Sequence, residues 1–206
     1  MKTLLVTFSG THGTGKSTHA GRCYYLLNQQ GYRFAYVRHQ DLLDPFGFVL
    51  RRTARILRYK AGDLEKTEPV RVFWSLYLLF IYLPFLVGGI RLRRMLGYSV
   101  VVDRYLYDLL VGFWGNHMDA PLQNLLIWTV THPDVSFVLD ADEQRILRER
   151  PEHTAEFIRN EKRLYGKIAT YFHLKKIHTT DSATAVWKTI LEDITSALSS
   201  LGSKST

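Results

Sequence analysis

Gly10, Thr11, His12, Gly13, Thr14, Gly15, Lys16, Ser17 and Thr18 form the most chemically suggestive run in the chain. Gly10 and Gly15 stand five apart and a lysine and a hydroxyl follow, the spacing G-x-x-x-x-G-K-[ST]. Glycines let a backbone curl and turn its N–H groups inward around a phosphate. A helix starting near Lys16 adds its positive end. Lys16 can reach β- and γ-phosphates, and the Ser17 hydroxyl can ligate Mg²⁺. The run Leu4 to Phe8 before it is strand-like. A loop of this type between a strand and a helix binds ATP or GTP.

A second constellation stands at the end of the short apolar run Ser99 to Val102: Asp103-Arg104-Tyr105. A carboxylate ending a strand beside a phosphate loop helps to hold Mg²⁺, and an adjacent arginine can fork onto an acceptor phosphate. Arg38 and His39 end another strand-like run. Arg145, Arg148 and Arg150 lie within six residues just beyond a fourth, ahead of Pro151. Such a cluster can neutralise a migrating phosphoryl group and close over it, so that water does not intercept it.

These side chains need elements to carry them. Strands are expected at 3–8, 32–38, 99–102, 135–139 and 176–179. Helices are expected from Lys16 to Gln30 with Gly31 as C-cap, at 48–60, through the apolar stretch to Gly97, and at 107–114 and 122–130. Others follow at 142–150, 154–172 and 183–198. Alternation of this kind predicts an α/β fold, a three-layer parallel sheet with helices on both faces, in which ligands sit at the carboxyl ends of the strands. One domain is expected over 1–198, with a short lid at about 143–156 and a flexible tail at 199–206.

The 206 residues carry 27 basic and 19 acidic side chains, a formal charge of +8, and 46% are apolar. That charge suits anionic ligands, and no nucleic acid is expected as a partner. Cys23 is the single cysteine, which excludes an internal disulfide and a cysteine metal cluster. A reducing cytoplasmic setting follows, and the N-terminal apolar run is too short for a signal peptide. Val72 to Ile90 is 19 residues without a charge, near the minimum for a bilayer span. A span there would part the phosphate loop from the strand at 99–102, so a protein-covered helix is expected, split near Pro84. Phe73, Tyr77 and Phe80 are spaced to share one helical face toward the core, the acceptor pocket or a homodimer.

The chain resembles the thymidylate kinase family of nucleoside monophosphate kinases. The family's E-G-x-D-G-x-G-K-S-T stands against Ser9 to Thr18, and its G-x-x-V-x-x-D-R-Y against Gly97, Val100, Asp103, Arg104 and Tyr105. Its strand ending in L-D and its arginine-bearing lid are similar to Leu139-Asp140 with Arg145 to Arg150. Its next helix resembles Glu161 to Ala169, and its closing strand and turn Ile177 to Ser182. The resemblance implies a P-loop kinase fold with ATP and Mg²⁺ as cofactors. Lys16 and Arg104 would steady donor and acceptor phosphates, Asp103 would work with Mg²⁺, and Arg148 or Arg150 would be the lid arginine. The departures fall largely on the acceptor side. Of R-E-P-G-G-T only Arg38 remains. Phe73 and Tyr77 stand at the family's aromatic and arginine positions. Asp108 replaces a serine, and the A-Y-Q position reads Val111-Gly112-Phe113. The loop's Glu and Asp are here Ser9 and His12.

Arg38, Phe73, Tyr77, Arg104 and Asp108 are therefore the candidate acceptor contacts. The reading implied is phosphoryl transfer to thymidine monophosphate or another nucleoside monophosphate. A kinase for a neutral acceptor, with Asp41, Asp44 or Asp108 as base, and a degenerate nucleotide binder are the alternatives.

Overall fold

A computed structural model of the chain describes residues 3–38, 76–115, 127–128, 131–179 and 183–203. Phe73, Asp41, Asp44 and the expected helix at 48–60 lie outside them. The chain divides into two compact units, Met1–Val37 with Arg93–Thr206, and Arg38–Leu92.

In the first unit β1 (Leu5–Gly10) is buried along its whole length. α1 (Lys16–Gln29) follows the loop. Gly31, with φ of +87°, ends this helix in a Schellman turn: its N–H donates to the Asn28 carbonyl and that of Tyr32 to Leu27. β2 (Phe34–Arg38) comes next. β3 (Ser99–Asp103), α3 (Leu106–Gly115), β4 (Val135–Asp140), α4 (Glu143–Glu149), α5 (Ala155–Tyr171), β5 (Lys175–His178) and α6 (Ala183–Ser203) complete the order, with α2 (Leu83–Met95) before β3. The sheet runs β2-β3-β1-β4-β5, and β1 lies between β3 and β4, parallel to both.

Alternation along β1 sorts its side chains. Leu4, Val6 and Phe8 join Ala20, Cys23 and Leu27 of α1 and Val186, Trp187, Ile190 and Ile194 of α6 in one core cluster. On the opposite face Thr7 bonds Ser136 through their hydroxyls at 2.7 Å, and α3 packs on α5 there. Helices thus cover both faces, the three-layer α/β arrangement expected. Burial pushes the Cys23 thiol up to about 12, so it serves as packing and not as a nucleophile. α6 continues to Ser203, past the expected end at 198, because Leu198 and Leu201 still pack on the core.

In the second unit, residues 78–82 form a π-helical turn that runs into α2. Pro84 has no N–H for the carbonyl one turn back, and a π turn just ahead of it absorbs that gap. The extra residue per turn also shifts the faces. Tyr82, Leu83, Leu86 and Ile90 are the buried residues, while Phe80 is 68% exposed. Of the three places expected for Phe80, the core, the acceptor pocket or a homodimer, this corrects the first, since spacings of three and four hold one face only in an α-helix. Among the described residues no helix is long and apolar enough to cross a membrane.

Candidate nucleotide site

The loop after β1 takes its shape from three glycines with positive φ: Gly10 at 136°, Gly13 at 72° and Gly15 at 80°. Gly10 is fixed by packing as well, because a Cβ there would lie 2.0 Å from the Leu139 carbonyl oxygen of the neighbouring strand. Gly15 caps α1 in the left-handed region and supplies no side-chain cap, and no acidic residue stands in the first turn. The helix therefore presents its positive end unscreened. Inside the loop the Thr14 hydroxyl donates to the Thr11 carbonyl at 2.8 Å, and Lys16 Nζ donates to the same oxygen at 2.5 Å.

Lys16 is buried. Burial lowers its pKa to about 8. Asp108, and more weakly Glu161 and Asp103, pull it back up, while Arg104 pushes it down. Ser17 and Thr18 are exposed on the first turn of α1.

The register of β3 on β1 sets Asp103 opposite Phe8, two residues before the loop. Asp103 is buried, and its Oδ2 accepts the Tyr36 hydroxyl at 3.0 Å. The next residue, Arg104, has φ of +66° while its N–H donates to the Phe8 carbonyl at 2.9 Å. A non-glycine residue in the left-handed region is strained, and such strain gathers at functional positions. The sheet thus continues one residue past Asp103 at the price of a strained arginine beside the loop.

Asp108 forms a different kind of site. Oδ2 accepts the Ser9 hydroxyl at 2.6 Å and the Tyr105 N–H at 3.0 Å, and Oδ1 accepts the Tyr165 hydroxyl at 2.8 Å. The bond to Tyr105 satisfies the N–H of the residue preceding α3, the return half of a capping box. Burial raises its pKa, against the pull of Lys16, Ser9, Arg104 and Tyr165. A carboxylate with three donors around it is a structural acceptor first.

The end of α4, in the segment expected as a lid, lies against the loop. A Cβ on Gly13 would stand 3.5 Å from Glu149 Oε2, 3.6 Å from Arg150 Cγ and 3.8 Å from Ile146 Cγ2. Arg145 pairs with Glu149 at 3.1 Å and donates to the Thr179 carbonyl, which ties α4 to the end of β5. Arg159 forks onto Glu143 at 2.9–3.0 Å and ties α4 to α5. Among the described residues Arg148 is exposed with no ion pair, and Arg150 pairs with Glu152 at 3.6 Å between two exposed side chains. At the base of the lid, Asp140 is held by Lys162 at 3.2 Å and Lys176 at 2.9 Å. Burial pushes its pKa up and the two lysines bring it below the usual range.

Of the expected acceptor contacts, Arg104 and Asp108 lie in the first unit with the loop. Tyr77 belongs to the second, and Arg38 ends β2 as an exposed residue. Among the described residues no group of three or more acidic, histidine or cysteine side chains could hold a metal unaided. The donors present are the exposed Ser17 hydroxyl and the Asp103 carboxylate. That set fits Mg²⁺, which keeps several waters and shares its other positions with substrate phosphates.

Two contacts were not foreseen from the sequence. Glu161 of α5 accepts the His12 N–H at 3.2 Å and meets His12 Nδ1 at 2.7 Å. The ring of His153 stacks on Phe157 at 4.7 Å and lies 5.0 Å from the ring of His12. The sequence signal available was a pair of polar residues in α5, Glu161 and Tyr165, one turn apart on an otherwise apolar face.

No family model matches the chain, and the search of curated proteins finds no match either. The crystal structure of thymidylate kinase from Ehrlichia chaffeensis is similar with a TM-score of 0.65 and 20% identity, over 94% of this chain and 100% of that one. At that identity the likeness establishes the fold alone, a parallel α/β arrangement shared over nearly the whole chain.

Proposed function

We propose that this protein is an ATP-dependent phosphotransferase acting on a nucleoside monophosphate, with thymidine monophosphate as the first acceptor to test. The observation that carries it is the shared edge of β1 and β3. It places a phosphate loop with a buried lysine beside Asp103 and a strained Arg104. The resemblance in motif and fold to thymidylate kinases supports the choice of acceptor.

In this reading the loop N–H groups and the positive end of α1 receive the donor phosphates. Lys16 leaves the Thr11 carbonyl for them. Arg104 forks onto the acceptor phosphate and fixes it for in-line attack. Arg38, Phe73 and Tyr77 complete the acceptor side, and the chain from 1 to 198 works as one kinase domain. Ser17 and Asp103 would hold Mg²⁺, which when bound neutralises phosphate charge. An acceptor phosphate is its own nucleophile and asks for no base. Asp108, the described candidate base of a neutral-acceptor kinase, is already filled with three donors, which favours the phosphorylated acceptor.

ATP turnover with and without nucleoside monophosphates tests this reading. Turnover that rises with thymidine monophosphate supports it. Acceptor-independent hydrolysis alone, or binding without turnover, would leave a nucleotide binder instead.

Asp103→Asn should shift the Mg²⁺ dependence of activity to higher concentration by about tenfold, while ATP affinity measured without metal stays the same. An unchanged Mg²⁺ profile would remove Asp103 from the metal site.

The two remaining lid arginines differ in what they can reach, because Arg150 has its stem against Gly13. Arg150→Ala is expected to lower kcat by about 10²-fold with little change in acceptor KM, and Arg148→Ala to do less. Arg145→Ala is expected to act on stability, since its guanidinium is spent on Glu149 and Thr179. Equal kinetic losses at 145 and 150 would contradict this division.

Phe85 and Leu92 are more than half exposed and lie seven residues apart on α2, with Gly88 between them. That apolar stripe supports a homodimer in a cytoplasmic protein. Light scattering without detergent should give twice the mass of 23.9 kDa, and Phe85→Glu should return a monomer. A wild-type protein of single mass would remove the dimer.

A further inference from the structure

We propose that Glu161 and Tyr165 are positioning residues that hold the phosphate loop in its binding shape from the helix returning from the lid. The proposal rests on the nucleotide-binding reading of that loop. The two side chains are one helical turn apart on α5 and so project from the same face. Each reaches the loop at a different point. Glu161 is buried and meets His12 at two points, accepting the backbone N–H at 3.2 Å and bonding the ring Nδ1 at 2.7 Å. Tyr165 donates to Asp108 at 2.8 Å, and Asp108 accepts Ser9 at 2.6 Å. Ser9 is the residue before the loop's first glycine, and His12 stands at its turn. The loop is pinned at its entry by Asp108 of α3, which Tyr165 of α5 braces, and at its tip by Glu161 of α5.

Such pins matter here because the loop's own residues restrain it little. Gly13 and Gly15 hold positive φ, a conformation that glycine enters and leaves freely. The internal bonds, from Thr14 and Lys16, converge on a single acceptor, the Thr11 carbonyl. A loop bonded at Ser9 and His12 has less freedom to lose when phosphate arrives. Charge placement points the same way. In the resembling motif, positions 9 and 12 are Glu and Asp. Here they are Ser9 and His12, and the carboxylates stand on α3 and α5, each bonded back to one of those positions. The loop gives up its charges but keeps a carboxylate contact at each site. The lid joins the same assembly, since His153 and Phe157 stack beside the His12 ring.

The test uses the full-length protein and two readouts. His12→Asp sets a second carboxylate against Glu161. It is expected to speed amide exchange across residues 10–16 in nucleotide-free protein and to weaken Mg·ATP binding by about tenfold. Adding Glu161→Gln to His12→Asp removes the repulsion and should restore both to within about threefold of wild type. Tyr165→Phe deletes one hydroxyl and leaves no cavity. It should raise the KM for ATP about fivefold and leave the acceptor KM unchanged. Thermal melts confirm folding of each variant. Unaltered loop exchange in His12→Asp, or no rescue by the second substitution, overturns the proposal. If wild type shows no Mg·ATP binding while loop exchange still responds as expected, the positioning role stands and the ATP reading falls.

Discussion

Lys16→Ala is expected to abolish phosphoryl transfer, lowering kcat by about 10²- to 10³-fold, with the fold intact. The lysine's charge is the part of the loop that the backbone cannot supply. Among the described residues it meets no carboxylate within ion-pair distance, and it bonds the Thr11 carbonyl. It is held there under protest: burial brings its pKa from 10.5 to about 8 despite the help of Asp108. The folded state therefore disfavours the ammonium. Between about pH 8 and 10.5 the unfolded chain binds the extra proton, so this residue makes wild-type stability rise with pH. The alanine variant should lack that slope, and its melt at pH 7 should move by less than about 2 kcal/mol equivalent. Wild-type kcat in Lys16→Ala would end the kinase reading.

Arg104→Gly should separate stability from activity in opposite directions. A left-handed φ costs a non-glycine residue roughly 1–2 kcal/mol, and Arg104 sits at +66°. Glycine removes that cost and adds back roughly 0.5–1 kcal/mol through the freedom of the unfolded chain. The melt should therefore hold or rise by up to about 1 kcal/mol. Acceptor KM should rise by about 10- to 100-fold, because a charge-assisted fork to phosphate is lost. Arg104→Ala should match the glycine variant in kinetics and lack its gain in stability. The kinetic loss should appear with nucleoside monophosphates and not with nucleosides. A glycine variant that is less stable than the alanine variant would mean that the conformation is no burden. An unchanged acceptor KM would remove Arg104 from the acceptor site.

The lid shows how far spacing carries a reading. Three arginines within six residues suggest a phosphate-facing cluster, yet α4 turns Arg145 toward Glu149 and the end of β5. Periodicity had the same limit at residues 73–80. A stripe counted at α-helical spacing does not survive a π turn, and Phe80 ends up outside. Asp108 read as an acceptor contact or a base, since its sequence neighbours give no hint of Ser9 or Tyr165.

The glycine loop after β1, the parallel α/β order and the placing of Asp103 and Arg104 at a strand end were determined by the sequence itself. Each depends on local rules: which residues accept positive φ, which spacing gives strand or helix, and what must follow a strand in a parallel sheet. The tertiary structure alone decided what holds the loop. Ser9 meets Asp108 across 99 residues and His12 meets Glu161 across 149. Those pairs form only when α3 and α5 pack on the same face of the sheet. Buried carboxylates take whatever donors packing brings within reach, and the spacing of a single chain does not encode that meeting.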